Sequence, residues 1–184
     1  MPSSRPLIEL TAHGMYCPRG DFFIDPWKPV DRAVITHAHT DHARPGSRCY
    51  MAARPSGAIL KHRLGQQIEL QLLDYGERRD LNGLKLSLHP AGHILGSCQV
   101  RLEAGGQVWV VSGDYKTGAD TTCTAFEPLA CHTFVTESTF GLPVFNWPVQ
   151  TTVLEKINNW WRSNRERGTT SLVFAYALGK AQRV

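Results

Sequence analysis

The residues of this chain best suited to hold a metal ion stand directly after short apolar, β-branched runs. Ala33-Val34-Ile35-Thr36 leads into His37-Ala38-His39-Thr40-Asp41-His42. Leu84-Lys85-Leu86-Ser87-Leu88, which alternates with period two, leads into His89-Pro90-Ala91-Gly92-His93. Val108-Trp109-Val110-Val111 ends at Ser112-Gly113-Asp114, Thr133-Phe134-Val135-Thr136 at Glu137, and Phe22-Phe23-Ile24 at Asp25. Runs of this length and composition, closed by polar or glycine-rich turns, read as strands. Strand ends that converge on one sheet edge bring residues distant in sequence together. The pattern therefore predicts an α+β fold whose chemistry sits on loops along such an edge.

Other elements follow from spacing. Gln99-Val100-Arg101-Leu102-Glu103, Gly105-Gly106 and Val108–Val111 predict a hairpin. Residues 55–64 read as a helix after a turn. Residues 150–167 place Val153, Leu154, Ile157, Trp160 and Trp161 at helical spacing and stop at Gly168. Ser171–Tyr176 reads as a buried strand, and Gly179–Arg183 as the opening of another helix. That last pair leaves a βα unit unfinished, so the expectation is a domain over residues 1–142 followed by the start of a second, cut off, over 143–184.

Three histidines and a carboxylate within His37–His42 are dense in ligand atoms. In an extended segment His37, His39 and Asp41 point the same way, because side chains alternate. His42 breaks the alternation and requires a turn at Asp41. One loop can then present ligands to two adjacent ions. Imidazole and carboxylate suit zinc, manganese or iron, and a thiolate-free set argues against a purely structural zinc. Two ions about 3.5–4 Å apart can stabilise the oxygens of an in-line displacement. His13, His62, His89 and His132 each stand alone and read as structural, His89 being the one nearest a candidate ligand.

The five cysteines are scattered, with no CxxC pair, which argues against a disulfide framework and a cysteine zinc site. No apolar run is long enough to span a membrane, and the N-terminus has no long apolar signal core. The expectation is a cytoplasmic location with no membrane partner. Residues 1–150 carry 14 Lys and Arg against 14 Asp and Glu, whereas residues 151–184 carry 6 against 2. The net charge of +4 thus lies wholly in the last stretch. A basic face there would attract a polyanion.

These motifs resemble a known family. His37-Ala38-His39-Thr40-Asp41-His42 resembles the signature of the metallo-β-lactamase fold, an αββα sandwich with a binuclear metal site. Ala91-Gly92-His93-Ile94-Leu95-Gly96-Ser97 and Ser112-Gly113-Asp114-Tyr115 resemble its third and fourth motifs, and Asp25 its first. Glu137-Ser138-Thr139-Phe140-Gly141 resembles motif A of the β-CASP nucleases, and Ala177–Arg183 a strand-to-helix segment of their inserted α/β domain. Met15–Asp21, Ile24–Val30 and Thr139–Pro143 look like the bacterial ligase-associated DNA exonucleases, a family also labelled mRNA 3′-end processing factor.

The resemblance implies two divalent ions, zinc before manganese. One would take His37, His39 and His93, the other Asp41 and His42, with Asp114 bridging and Asp25 supporting the metal loop. Asp41 would hold or deprotonate the attacking water. Glu137 would orient a ligand or help protonate the leaving oxygen. Lys28, Arg44, Lys116 and Lys180 are phosphate-binding candidates. Later family motifs, with a histidine that completes the second metal, would fall beyond Val184, so the sandwich and the second site are expected to be incomplete and the activity weak. The implied function is phosphodiester hydrolysis, as a DNA exonuclease in ligase-associated repair, with nucleic acid (DNA before RNA), an ATP-dependent DNA ligase and a helicase as partners. The alternatives are an RNA 3′-end processing nuclease, a thioester or lactone hydrolase on the same fold, and a catalytically impaired metal-binding fragment.

Overall fold

The computed structural model describes residues 6–184. It divides into two compact units, Met1–Glu137 and Ser138–Val184.

The first unit is built from two sheets. Strands β1 (Glu9–Thr11), β2 (Gly14–Cys17), β3 (Phe22–Ile24), β4 (Arg32–Ile35), β5 (Cys49–Ala53) and β6 (Glu69–Leu73) form one sheet in sequence order. Its first pairs are antiparallel, and β3 through β6 run parallel. Strands β7 (Arg78–Leu81), β8 (Leu84–Pro90), β9 (Cys98–Ala104), β10 (Gln107–Val111) and β11 (Thr133–Val135) form the other, in the order β11-β10-β9-β8-β7. The sequence-predicted hairpin is β9–β10, antiparallel with Val111 opposite Val100. Helix α1 (Gly57–Leu64) lies between β5 and β6, where the sequence placed one, after a short 3₁₀ turn at Arg54–Ser56.

The two sheets share one core. Ile24, Val34 and Leu73 of the first belong to the same buried cluster as Leu84, Leu86, Leu88, Val100 and Leu102 of the second. The period-two alternation of β8 explains half of it: Leu84, Leu86 and Leu88 turn inward together. Burying such side chains contributes about 1.5–3 kcal/mol each relative to exposure. This is the mixed α+β, two-sheet sandwich that the sequence led us to expect.

One edge of the sandwich positions the site. β8 ends at Pro90 and β9 starts at Cys98, so residues 91–97 loop over that edge. Val111, at the end of β10, pairs with Val135 in parallel, so Asp114 and Glu137 leave the sheet in the same direction. The Cys98 amide donates to the Thr36 carbonyl at 2.8 Å, fastening the end of β4 to the start of β9 across the two sheets.

The second unit holds α2 (Gln150–Glu166) and a short α3 (Lys180–Arg183), matching the two sequence-predicted helices. Residues 171–176 do not form the expected buried strand: Leu172, Phe174 and Tyr176 are 71%, 90% and 74% exposed. The physical reason is the lack of a partner. Among the described residues of this unit there is no other strand, and a lone strand leaves its backbone groups unpaired. The apolar face of α2 is likewise open at Val153, Trp160 and Trp161.

Candidate metal centre

The loop after β4 does what the spacing required. His39 accepts backbone hydrogen bonds from His42 (3.2 Å) and Ala43 (2.8 Å), and this turn brings His42 back beside His37, with ring centroids 4.1 Å apart. His93 arrives on the 91–97 loop, and Asp114 from the end of β10. The 91–97 loop is held by Ser97, whose Oγ accepts from the amides of His93 (3.1 Å) and Ile94 (3.2 Å).

His37, His39, His93 and Asp114 converge, each offering a ligand atom within 4.8 Å of the others. His37 Nε2 lies 3.0 Å from His39 Nδ1, and His93 Nε2 lies 3.3 Å from the same atom. Asp114 Oδ2 stands 3.5 Å from His93 Nε2 and 3.8 Å from His37 Nε2. A tetrahedron with Zn–N bonds of about 2.0–2.1 Å has edges of about 3.3 Å, so these separations fit a single zinc-sized ion.

The other oxygen of Asp114 faces a second group. Oδ1 lies 3.3 Å from His42 Nε2, and Asp41 Oδ2 is 3.7 Å from the same nitrogen. Asp114 therefore stands between the His37-His39-His93 group and the Asp41-His42 pair, one oxygen toward each.

Asp25 explains the orientation of both groups. It takes φ +44°, a left-handed conformation that aspartate tolerates better than most residues. Its Oδ1 accepts from the Thr36 amide (2.8 Å), and its Oδ2 from the Thr36 hydroxyl (2.5 Å) and from His42 Nδ1 (2.7 Å). A hydroxyl has one proton, and Thr36 gives it to the carboxylate. Its oxygen is then left to accept from His37 Nδ1 at 3.1 Å. That fixes the His37 tautomer with the Nε2 lone pair toward the cluster, and Asp25 does the same for His42 directly. Such outer partners orient metal-binding histidines and raise their basicity.

The electrostatics prepare His37 and Asp114 for a cation and leave His42 protonated. Burial, reinforced by His42, holds His37 neutral with a pKa down to about 2, although Asp114 pulls the other way. For His42, burial opposes protonation, but the hydrogen bonds to Asp114 and Asp25 prevail and push its pKa up to about 10. The His42 hydrogen bond in turn holds Asp114 down at about 2, against the effect of its own burial. The ionised Asp114 carboxylate and the neutral His37 imidazole are the forms that metals require, whereas His42, protonated by its two carboxylate partners, would have to release a proton to bind one.

The remaining candidates are placed unevenly. Asp41 is exposed at the rim, and Glu137 follows β11 in the half-buried range. Lys28 is exposed; Arg44 is also exposed and donates from Nε to the Asp41 carbonyl at 3.2 Å. Lys116 Nζ pairs with Asp120 at 3.0 Å. Lys180 belongs to the second unit, its Nζ 4.9 Å from the Tyr176 ring centre. Tyr115 packs on Phe126 and Phe134, at centroid distances of 5.5 and 6.1 Å. His132 accepts from the Val108 amide through Nδ1 at 3.0 Å, a structural role. No disulfide joins any of the five cysteines.

Sequence reasoning missed Thr36 as a working part of the site; the available signal was a hydroxyl directly before the first histidine. It also missed Gln99 and Glu127, whose partners lie too far along the chain for spacing to reveal, and Asp120, whose partners Lys116 and Thr122 are local.

The chain is similar in sequence to several known proteins. No family model matches the chain. A protein named probable DNA ligase from Opitutus terrae is 29% identical over 175 residues, which is 94% of this chain and 17% of that protein. The endoribonuclease YSH1 of Saccharomyces cerevisiae is 30% identical over 118 residues, covering 63% of this chain and 15% of its own. An RNase J-like protein from Methanocaldococcus jannaschii is 26% identical, covering 85% and 43%. The chain thus spans from 15% to 43% of the length of these three relatives. Among solved structures, zinc-bound PqqB from Methylobacterium extorquens overlays 44% of this chain and 37% of its own at 13% identity and a TM-score of 0.34, too slight to carry weight. A two-sheet sandwich with a histidine–aspartate cluster on one edge is the fold and the site that the motif resemblance implied. In sequence the chain is similar to these nucleases and to this protein named a DNA ligase, in line with the resemblance its motifs carry.

Proposed function

We propose that this chain carries the metal centre of a hydrolase that cuts phosphodiester bonds in nucleic acid. The observation that carries the reading is the position of Asp114, which puts one oxygen toward His37 and His93 and the other toward His42. That split suits two divalent ions, zinc before manganese. His37, His39 and His93 would hold one, Asp41 and His42 the other, and Asp114 both. Such a centre lowers the pKa of water toward about 7 and stabilises charge on the phosphoryl oxygens.

The residues around it divide the remaining work. Asp25 and Thr36 fix the two histidine orientations. Asp41, exposed at the rim, is placed to hold or deprotonate the attacking water. Glu137 orients a ligand or protonates the leaving oxygen. Lys28 and Arg44 neutralise phosphate at the open side. Lys116 is held by Asp120, which supports a structural role for it, and Lys180 would contribute only through the second unit.

The substrate we favour is DNA, attacked exonucleolytically beside a ligase. Support comes from the match of nearly the whole chain to part of a protein named as a DNA ligase. The endoribonuclease and RNase J-like relatives favour RNA as the second reading. The test loads the protein with zinc or manganese and offers end-labelled DNA and RNA, single- and double-stranded, alongside a His39→Ala, Asp41→Ala variant. Cleavage lost in the variant supports the proposal. Hydrolysis of thioesters with no cleavage of either nucleic acid by the metal-loaded protein would overturn it.

A further inference from the structure

A segment with no assigned role crosses the root of the His93 loop. The Lys116 amide donates to the Ala91 carbonyl at 3.0 Å, and the Glu127 amide to the Pro90 carbonyl at 3.1 Å. Between them the segment is braced from within: Asp120, its side chain 1% exposed, accepts from Lys116 Nζ (3.0 Å), the Thr122 amide (2.9 Å) and the Thr122 hydroxyl (2.6 Å). The contact with the loop is close. Gly92 has φ +71°, and a Cβ there would strike the Lys116 carbonyl and come within 2.9 Å of the Phe126 amide nitrogen. Only glycine lets the two backbones touch.

The far end of the segment is fastened twice. Fully buried Gln99 turns Nε2 to both the Pro90 (3.0 Å) and Glu127 (2.7 Å) carbonyls. Its Oε1 is left buried without a partner among the described residues. An unsatisfied buried acceptor costs about 1–3 kcal/mol, a cost this arrangement carries to keep both carbonyls bound. Outside it, His89 Nδ1 meets Glu127 Oε1 at 3.1 Å, and His89 Nε2 meets Ser87 Oγ at 3.0 Å. That atom order is the order of a hydrolytic triad. Ser87, however, is 4% exposed and sits mid-strand, with Arg78 and Arg101 opposite it on the neighbouring strands, so a substrate carbonyl has no route to it.

We propose that residues 116–127 form a strap that positions His93 and Asp114 relative to each other, and that Glu127 and His89 are positioning residues for the metal centre. The strap starts two residues after Asp114 and grips the two residues before Gly92 and His93, so slack in it separates two ligands of one ion. This inference rests on the metal-centre reading above.

The experiment measures zinc affinity by competition with a chromophoric chelator, and apo-protein melting, for wild type, Glu127→Ala, Glu127→Gln and His89→Ala. Arg48→Ala, which breaks the exposed Arg48–Asp31 pair on the first sheet, serves as control. Glu127→Ala and His89→Ala are expected to weaken zinc about 10-fold. Their melting should shift no more than that of Arg48→Ala. Glu127→Gln keeps an acceptor for His89 and should stay within about threefold of wild type. Unchanged zinc affinity in folded Glu127→Ala and His89→Ala overturns the strap alone, as does an equal loss in Arg48→Ala. Should one alanine variant fail to fold, the other and the glutamine variant decide. Wild type that binds no zinc overturns the metal-centre reading and the strap with it.

Discussion

Gly113→Ala tests how tightly the metal loops are locked together. Gly113 has φ +55°, which costs an L-residue about 1–2 kcal/mol. Its added Cβ would also lie 2.6 Å from both Cβ and Oγ1 of Thr36 and 3.1 Å from Cγ2. Thr36 cannot move aside without loss. It is 1% exposed, and its hydroxyl holds Asp25 at 2.5 Å and His37 at 3.1 Å. Overpacking of this kind costs about 1–3 kcal/mol. The structure supplies its own control: Gly105 has φ +58° with nothing within 4 Å of a built Cβ, so Gly105→Ala carries the backbone strain without the clash. We expect about 1 kcal/mol for Gly105→Ala and about 3 kcal/mol for Gly113→Ala, read from urea denaturation of the metal-free protein. The difference of about 2 kcal/mol corresponds to about 4–8 °C in melting temperature for a chain of this size. Zinc affinity should fall only in Gly113→Ala, because the displaced Thr36 releases the His37 tautomer. If the two variants differ by less than about 0.5 kcal/mol, Thr36 is not pinned and the loops are not locked in this way.

Thr36→Val keeps the shape and removes the hydroxyl, so it should weaken zinc about 10- to 100-fold by chelator competition; affinity within twofold of wild type would remove Thr36 from the site. Zinc at about 100 times its dissociation constant should stabilise the protein by about 2.7 kcal/mol in a denaturant titration, and His39→Ala should abolish that gain. Leu102→Ala, at a fully buried core position, should cost about 2.7–5 kcal/mol by equilibrium unfolding, and a loss below about 1 kcal/mol would mean the two sheets do not share a close-packed core there.

How much of this was legible in the sequence depends on what holds each part in place. The strands that end on ligands were readable, because an apolar run followed by polar residues is a local signal: β3, β4, β8, β10 and β11 all stand where it placed them. β1, β2, β5, β6 and β7 were not. Arg78-Arg79-Asp80-Leu81 has no apolar alternation and is a strand because β8 pairs with it. The reverse error fell at Ser171–Tyr176, where strong β propensity met no partner and no strand formed. Propensity proposes a strand, and pairing decides it.

The site follows the same division. Spacing alone gave the same-side placement of His37 and His39, and a turn was forced by His42. The depth of the arrangement was not in any one motif. It lies in a chain of hydrogen bonds from Asp25 through Thr36 to His37, and from Asp25 to His42, that crosses from the end of β3 to the loop after β4. Parallel pairing of β3 with β4 is what makes that chain possible, since it brings the ends of both strands to the same edge, Ile24 opposite Val34. Antiparallel pairing would send Asp25 and His37 to opposite ends of the sheet. The position of Asp25, one residue beyond Ile24, is thus set by sheet topology rather than by its distance in sequence from the histidines. A carboxylate moved to position 24 would point to the other face, and the tautomers of His37 and His42 would have nothing to fix them.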